Sequence, residues 1–183
     1  DDPDAANYIA LVEAADTAAG SPGGLETATK VAIHSFVKGC KADGIWPAIK
    51  ASCILAGART LAGALVPLAG TPPTKFGTEA NWDYNRKTGL QGDGSTNYLN
   101  SNRSNSTDPQ NSKHLSVFKS SNATVAGGLI GTEVTANGTS WIFEGFATGS
   151  DTYRINVSPS ITFPLGSYPD TGFIGAVRSS SSQ

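Results

Sequence analysis

The sequence predicts an α+β protein, with an N-terminal helical segment followed by an antiparallel β-sandwich. Three observations carry this. Apolar residues recur at helical spacing up to about residue 56. A Gly/Ser/Asn/Thr-rich composition takes over from residue 84, and short runs of strand-forming residues then recur about every ten positions. A chain of 183 residues has room for one helical subdomain plus one β domain, and its 21 glycines with 15% charged residues suit turns and sheet better than a long bundle.

The first helix is expected over residues 4–17, where Tyr8, Ile9, Leu11, Val12 and Ala15 fall on one stripe before Gly20-Ser-Pro-Gly-Gly24 breaks it. The second and strongest runs over 25–40 on Leu25, Ala28, Val31, Ala32, Ile33, Phe36, Val37 and Cys40, with Lys30, Lys38 and Lys41 mainly off that face. Asp43 is placed to cap a third helix, Pro47 is tolerated in its first turn, and Ile45, Ile49, Cys53 and Ala56 would form one face. The Ala/Gly/Leu-rich segment 56–70 permits close packing, and Pro67 ends any helix there. Three such helices cannot bury all their stripes, so residues 1–70 are expected to act as a leader that packs on something else. The face over 56–70 is the candidate docking surface.

Residues 71–80, with the pair Pro72-Pro73, read as a linker, and 81–183 as the β domain. Strands are expected at 89–90, 97–99, 114–119, 125–130, 141–146, 152–157, 161–163 and 173–177, with no helix of useful length after Pro73. Gly92-Asp93-Gly94 is a turn between Leu90 and Tyr98-Leu99. Residues 100–113, which hold four Asn and four Ser and no core-forming side chain, are expected as an exposed loop and the best contact surface.

Charge narrows the partners. Residues 1–80 hold six Lys/Arg against eight Asp/Glu, and 81–183 hold seven of each, so neither half has the positive excess that nucleic acid requires. The longest apolar run, 61–69, is too short for a bilayer span. With no Met anywhere, the chain is expected to be processed, trimmed or a part of a longer protein, and no signal peptide is visible at Asp1-Asp2-Pro3-Asp4. Cys40 and Cys53 allow two readings: a disulfide between back-folded helices, or two buried reduced thiols.

Catalytic chemistry finds little support. The acids beyond residue 80 are Asp83, Asp93, Asp108, Glu133, Glu144, Asp151 and Asp170, and none pairs at the spacing that glycoside hydrolysis needs. Glu144 alone sits in an apolar strand, where burial could raise its pKa, but an outward-facing residue on an alternating strand is the better explanation. His34 and His114 are the only imidazoles, no Gly-x-Ser-x-Gly elbow accompanies them, and two histidines 80 residues apart lack metal-ligand spacing. Asp93 within Gly92–Thr96 has oxygens suited to calcium, but an Asp-Gly turn accounts for it. Sequons occur at Asn102, Asn105, Asn122, Asn137 and Asn156, as chance produces in so Asn/Ser-rich a chain. Trp82, Tyr84, Tyr98, Trp141, Tyr153 and Tyr168 suit either sugar stacking or core packing, with Tyr84 and Tyr168 the least core-like.

Three stretches together carry a resemblance: Tyr84-Asn-Arg-Lys-Thr-Gly-Leu-Gln-Gly-Asp-Gly-Ser-Thr-Asn-Tyr-Leu-Asn-Ser-Asn-Arg-Ser104, Ser112-Lys-His-Leu-Ser-Val-Phe-Lys119 and Thr171-Gly-Phe-Ile-Gly-Ala-Val-Arg178. They resemble the start of the concanavalin A-like (laminin-G-like) jelly-roll domains carried by virion structural proteins of tailed bacteriophages, especially phages of cyanobacteria and marine bacteria. Gly39-Cys-Lys-Ala-Asp-Gly-Ile-Trp46 and Ala56-Gly-Ala-Arg-Thr-Leu-Ala-Gly-Ala-Leu-Val-Pro-Leu68 resemble the leader of the same proteins. The resemblance implies a non-enzymatic virion component, a head decoration, cement or fibre module. It would be homo-oligomeric, bound to other virion proteins, and without catalytic residue, cofactor or metal. It also implies further strands after residues 171–183, hence an incomplete jelly roll or a shortened relative. A lectin-like module recognising host-surface glycan is the alternative expectation, and a glycoside hydrolase acting through Glu144 the remote one.

Overall fold

The computed structural model describes residues 1–121, 127–132, 139–146, 150–155, 161–164 and 171–179. The chain divides into two compact units, Asp1–Arg103 and Ser104–Gln183. Its architecture is α+β, with the helices in the first unit and the sheets antiparallel throughout.

The first unit opens with α1 (Pro3–Ala18), started by Asp2, whose carboxylate accepts from the N–H groups of Asp4 at 2.9 Å and Ala5 at 3.2 Å. It ends in a left-handed glycine, Gly20 (φ 83°). There Ser21 N–H reaches back to Asp16 O and Gly20 N–H to Thr17 O, the double bond of a Schellman motif. Helix α2 (Thr27–Ala42) ends the same way, with Gly44 at φ 72° and Ile45 N–H on Cys40 O. The two helices are antiparallel. Lys41, at the end of α2, binds Asp2 and Asp4 at the start of α1 at 2.7 Å each, and Lys30 near the start of α2 binds Glu13 at 2.6 Å.

Helical periodicity locates the core side correctly but overstates it. Tyr8, Ile9 and Val12 of α1 and Ile33, Val37 and Cys40 of α2 are buried, whereas Leu11, Val31 and Phe36 stand at least half exposed. The expected third helix does not form. Asp43 is the C-cap of α2 rather than an N-cap, Gly44 takes the chain out of helical geometry, and Pro47 lies in a single 3₁₀ turn, Trp46–Ala48. Residues Ser52–Cys53 form β1, paired antiparallel with β2 (Pro67–Ala69). Four apolar residues at helical spacing are too few to outweigh these backbone signals. The pair Cys40 and Cys53 is correspondingly not on consecutive helices, and both thiols are free.

The segment 56–70, expected as a docking face, is built into the unit instead. It holds a one-turn helix, α3 (Leu61–Ala64), and β2, and it buries Ala58, Ala64 and Leu68 against α1 and α2.

The expected linker 71–80 also takes part in structure. Thr74–Phe76 is β3, and it pairs antiparallel with β6 (Tyr98–Asn100). Between them β4 (Asp83–Asn85) and β5 (Gly89–Gln91) form a hairpin. Residues 81–103 thus group with the helices, through the Arg86 guanidinium on Glu26 at 2.8 Å and the Gly57 N–H on Arg86 O at 2.7 Å.

The second unit contains a four-stranded antiparallel sheet in the order β11-β10-β9-β8: β8 is Gly127–Thr132, β9 Ser140–Phe146, β10 Ser150–Ile155 and β11 Ile161–Pro164. A separate ribbon pairs β7 (Lys113–Lys119) with β12 (Gly172–Arg178). Ile142 and Tyr153 of the sheet and Ile174 of the ribbon share one core with Leu115, Val117, Leu129, Ile130 and Ala176. Two antiparallel sheets facing each other across a common core are consistent with a β-sandwich.

Candidate functional site

Two carboxylates, Asp16 and Asp93, hold backbone together. Asp16 is fully buried, on the same stripe of α1 as Tyr8 and Val12. Its oxygens accept from Arg59 N–H (2.8 Å), Thr60 N–H (2.9 Å) and the Thr60 hydroxyl (2.7 Å), so it clamps the loop before α3. Gly63 is required beneath it, since a Cβ there would run into the Asp16 carboxylate. Arg59 extends the clamp, with Nε on Gly24 O at 2.6 Å.

Asp93 sits in the turn between β5 and β6. It accepts from the N–H groups of Ser95, Thr96 and Asn97, from the Thr96 hydroxyl and from the Asn81 amide. These bonds, led by the Thr96 hydroxyl, hold its carboxyl far below the ordinary aspartate range. The lone pairs that calcium would need are committed to the turn. Among the described residues, no group of three or more His, Cys, Asp or Glu converges to hold a metal ion.

The other candidate acids and bases lie on several elements. Asp83 is exposed on β4, and Asp108 lies in the loop before β7. Glu144 and Asp151 lie on the paired strands β9 and β10, where the register shift between Ser150↔Phe146 and Thr152↔Phe143 sets the Asp151 backbone against the Glu144–Gly145 step; on their other sides Glu144 pairs with Gly127 and Asp151 with Phe163. Glu133 and Asp170 fall outside the described residues, as do Tyr168 and the sequons at Asn122, Asn137 and Asn156. His34 Nδ1 accepts the Asp2 N–H at 3.2 Å and belongs to the start of α1, while His114 is exposed on β7. Of the described sequons, Asn105 is 3% exposed, and the Asn102 amide is spent on Pro72 O and Thr74 Oγ1, both at 2.9 Å. Neither presents a free side-chain amide. The loop 100–113 is therefore largely exposed but anchored, with Asn105 and Lys113 buried at its two ends of order.

The aromatics divide between core and surface. Tyr84, expected among the least core-like, packs on the helical core, and its hydroxyl donates to Ala58 O at 2.8 Å. Burial pushes this phenol up to about 12, and Tyr8 is pushed higher still for the same reason. Tyr153 is buried in the sandwich core, and Trp82 is half-buried. Trp141 stands on β9 with the Arg154 guanidinium 4.3 Å from its ring centre and Phe143 edge-on at 5.3 Å. Gly128 and Gly131 of β8 make room for these rings. A Cβ at Gly131 would lie 2.8 Å from the Trp141 Cβ, and one at Gly128 would lie 3.2 Å from the Phe143 ring.

Tyr98 is an open aromatic of the first unit. It is 57% exposed and stacks flat against Phe76 on the paired strand, with centroids 4.9 Å apart and planes within 3°. Thr74 and Asn100, the next register pair, share the same exposed face. Asn97 locks the adjacent loop through both Thr78 backbone groups, which is why Gly77 (φ 106°) lies directly against it. This small rigid platform joins two flat rings to an amide and a hydroxyl, and no charged group stands in its two register pairs.

No protein-family model, curated protein or solved structure matches the chain. Fold and surfaces together define a two-unit α+β protein in which Asp16, Asp93 and Asn97 brace loops and Phe76 and Tyr98 form an exposed aromatic pair.

Proposed function

We propose that this chain is a non-enzymatic virion structural protein of a tailed bacteriophage, a head decoration, cement or fibre module, working by self-assembly and surface contact. The sandwich-like second unit would be of the concanavalin A-like jelly-roll type. The single observation that supports this best is how the polar groups are spent. Asp2, Asp16 and Asp93 each accept several bonds from the chain itself, leaving their oxygens engaged in caps, clamps and turns. A protein whose work is to keep a shape and touch neighbours needs this use of carboxylates. The resemblance in Tyr84–Ser104, Ser112–Lys119 and Thr171–Arg178 points the same way. Peptide mass fingerprinting of purified particles tests the reading: it expects peptides of this chain at a copy number matching a symmetric substructure. Peptides found only in the infected-cell lysate would overturn it.

A second reading, recognition of host-surface glycan, is favoured by the Phe76–Tyr98 platform with Thr74 and Asn100 beside it. Flat apolar rings flanked by uncharged hydrogen-bonding groups match the face and hydroxyls of a pyranose. A glycan array should then give signals that Tyr98→Ala abolishes.

A further inference from the structure

Asn102 decides how the exposed face of β3 and β6 is presented. It stands in left-handed geometry (φ 56°) and bonds back onto the Thr74–Asn100 register pair. Its backbone N–H donates to Asn100 Oδ1 at 2.8 Å. An N–H can only donate, so the Asn100 amide is fixed with its oxygen toward Asn102 and its nitrogen turned away. The Asn102 side-chain nitrogen has two hydrogens, and they go to Pro72 O and Thr74 Oγ1, both at 2.9 Å. The Thr74 oxygen is an acceptor toward Asn102, which leaves its own hydrogen to point elsewhere. Two directly opposed residues therefore present an Asn100 Nδ2–H and a Thr74 O–H, while the oxygen of each is engaged by Asn102.

The aromatic row is the next one on the same face. Phe76 stacks on one face of Tyr98, so the 57% exposure of Tyr98 belongs to its other face and its edge. Rows on one face of a strand pair repeat about every 7 Å, and the Cβ atoms of opposed residues lie about 5 Å apart. A sugar ring with one short polar arm spans that distance.

We infer that this face binds an N-acetylhexosamine, the pyranose lying on the open face of Tyr98 and the acetamido carbonyl accepting from Asn100 Nδ2 and Thr74 Oγ1. The inference rests on the glycan-recognition reading and narrows it to one class of sugar.

Hydrogen-bond polarity selects the occupant. A carbonyl oxygen has two lone pairs and no hydrogen, so one atom answers both donors, whereas a ring hydroxyl brings a further hydrogen toward them. Charge then selects among carbonyl-bearing sugars. A uronic or sialic acid carboxylate calls for a cation beside the donors. Neither register pair has one, and Lys75, which alternates to the opposite face of β3, is bound to Glu79 at 2.6 Å. A neutral amide carbonyl fits a donor pair without charge, and the Tyr98 ring meets the C–H face of the sugar.

NMR titration of the full chain tests this, with methyl N-acetylglucosaminide and methyl N-acetylgalactosaminide set against methyl glucoside and methyl galactoside. At least one acetamido sugar should bind about fivefold or more tightly than its counterpart, as two neutral hydrogen bonds allow. Asn100→Asp keeps an oxygen for the Asn102 N–H and replaces the donor with a second acceptor, so it should erase that preference. Tyr98→Ala should remove binding of all four sugars, with circular dichroism unchanged in both variants. If Tyr98→Ala loses its fold, Asn100→Asp decides alone. Equal affinities, or a preference that Asn100→Asp leaves intact, overturn the inference, and the glycan reading stands where Tyr98→Ala still abolishes binding. No binding of these sugars alongside array signals that need Tyr98 overturns the inference alone. No binding in either assay overturns both.

Discussion

At the residue scale, Asp16 has the largest consequence. It accepts from three donors in the core of the first unit, and removing it strands two part-buried N–H groups and a hydroxyl. Each orphaned donor costs about 1–3 kcal/mol, so Asp16→Ala should lower stability by about 3–5 kcal/mol in urea denaturation. Asp16→Asn should fall between, since one of its two terminal atoms still accepts. The sequence hid this residue because a carboxylate on an apolar stripe reads as a break in the stripe. Its position four residues after Val12 and eight after Tyr8 was the available signal. Tyr84 misled in the opposite direction. Its neighbours in sequence are polar, but strand alternation turns it away from them and onto Ala58 O. Loss of that hydroxyl in Tyr84→Phe should cost about 1 kcal/mol by the same assay.

At the element scale, the helix ends and their ion pairs set the pH range. Lys41 lowers the Asp2 carboxyl, and Lys30 lowers that of Glu13, so both groups titrate below their unfolded values. Their stabilisation is present above the unfolded value near 4 and is lost as pH falls through the folded one. At the alkaline end the signs reverse. The Lys41 ammonium is raised by its hydrogen bonds to Asp2 and Asp4, and the Tyr84 phenol is raised to about 12 by burial. Both are stabilising below the unfolded values near 10 and lose that contribution as pH rises through the folded ones. The melting temperature should therefore be flat between about pH 5 and 9 and fall on both sides. Phenolate absorbance of Tyr8 and Tyr84 should therefore rise only above the ordinary tyrosine range near 10, and ionisation of both within that range would contradict the buried placement.

The same scale shows what was legible. Both long helices could be read because each has an apolar stripe at helical spacing, and β7, β9 and β12 because each is a run of strand-forming residues set off from the next by Gly, Ser, Asn and Pro. The third helix was misread because its decisive feature is Gly44, a left-handed stop whose side is not written in the apolar pattern. Gly44→Ala should cost about 1 kcal/mol: nothing lies within 4 Å of the added Cβ, so the penalty is the backbone's alone. Of the surfaces, Tyr98 was one of six aromatics that suit either sugar stacking or core packing, and its exposure was not legible. Nor was its stacking on Phe76, because the pairing of β3 with β6 depends on a strand inside what reads as a Pro-rich linker.

For the whole molecule, the composition change at residue 84 and the structural division at Arg103/Ser104 do not coincide. Composition reports local backbone preference, whereas the division reports which residues share contacts. The hairpin β4–β5 illustrates the difference. It has the Gly/Asn chemistry of the β region, but Tyr84 and Arg86 tie it to Ala58 and Glu26 of the helical unit. A truncation at the composition boundary, after residue 83, removes Tyr84 from the core cluster and Arg86 from Glu26. A truncation after Arg103 keeps both. Circular dichroism should accordingly show a cooperative helical melt for residues 1–103 and a broad, less stable one for 1–83. If the shorter fragment melts as sharply and as high as the longer, then α1, α2 and α3 hold each other without the hairpin, and residues 81–103 belong to the sheets on energetic grounds as well as compositional ones.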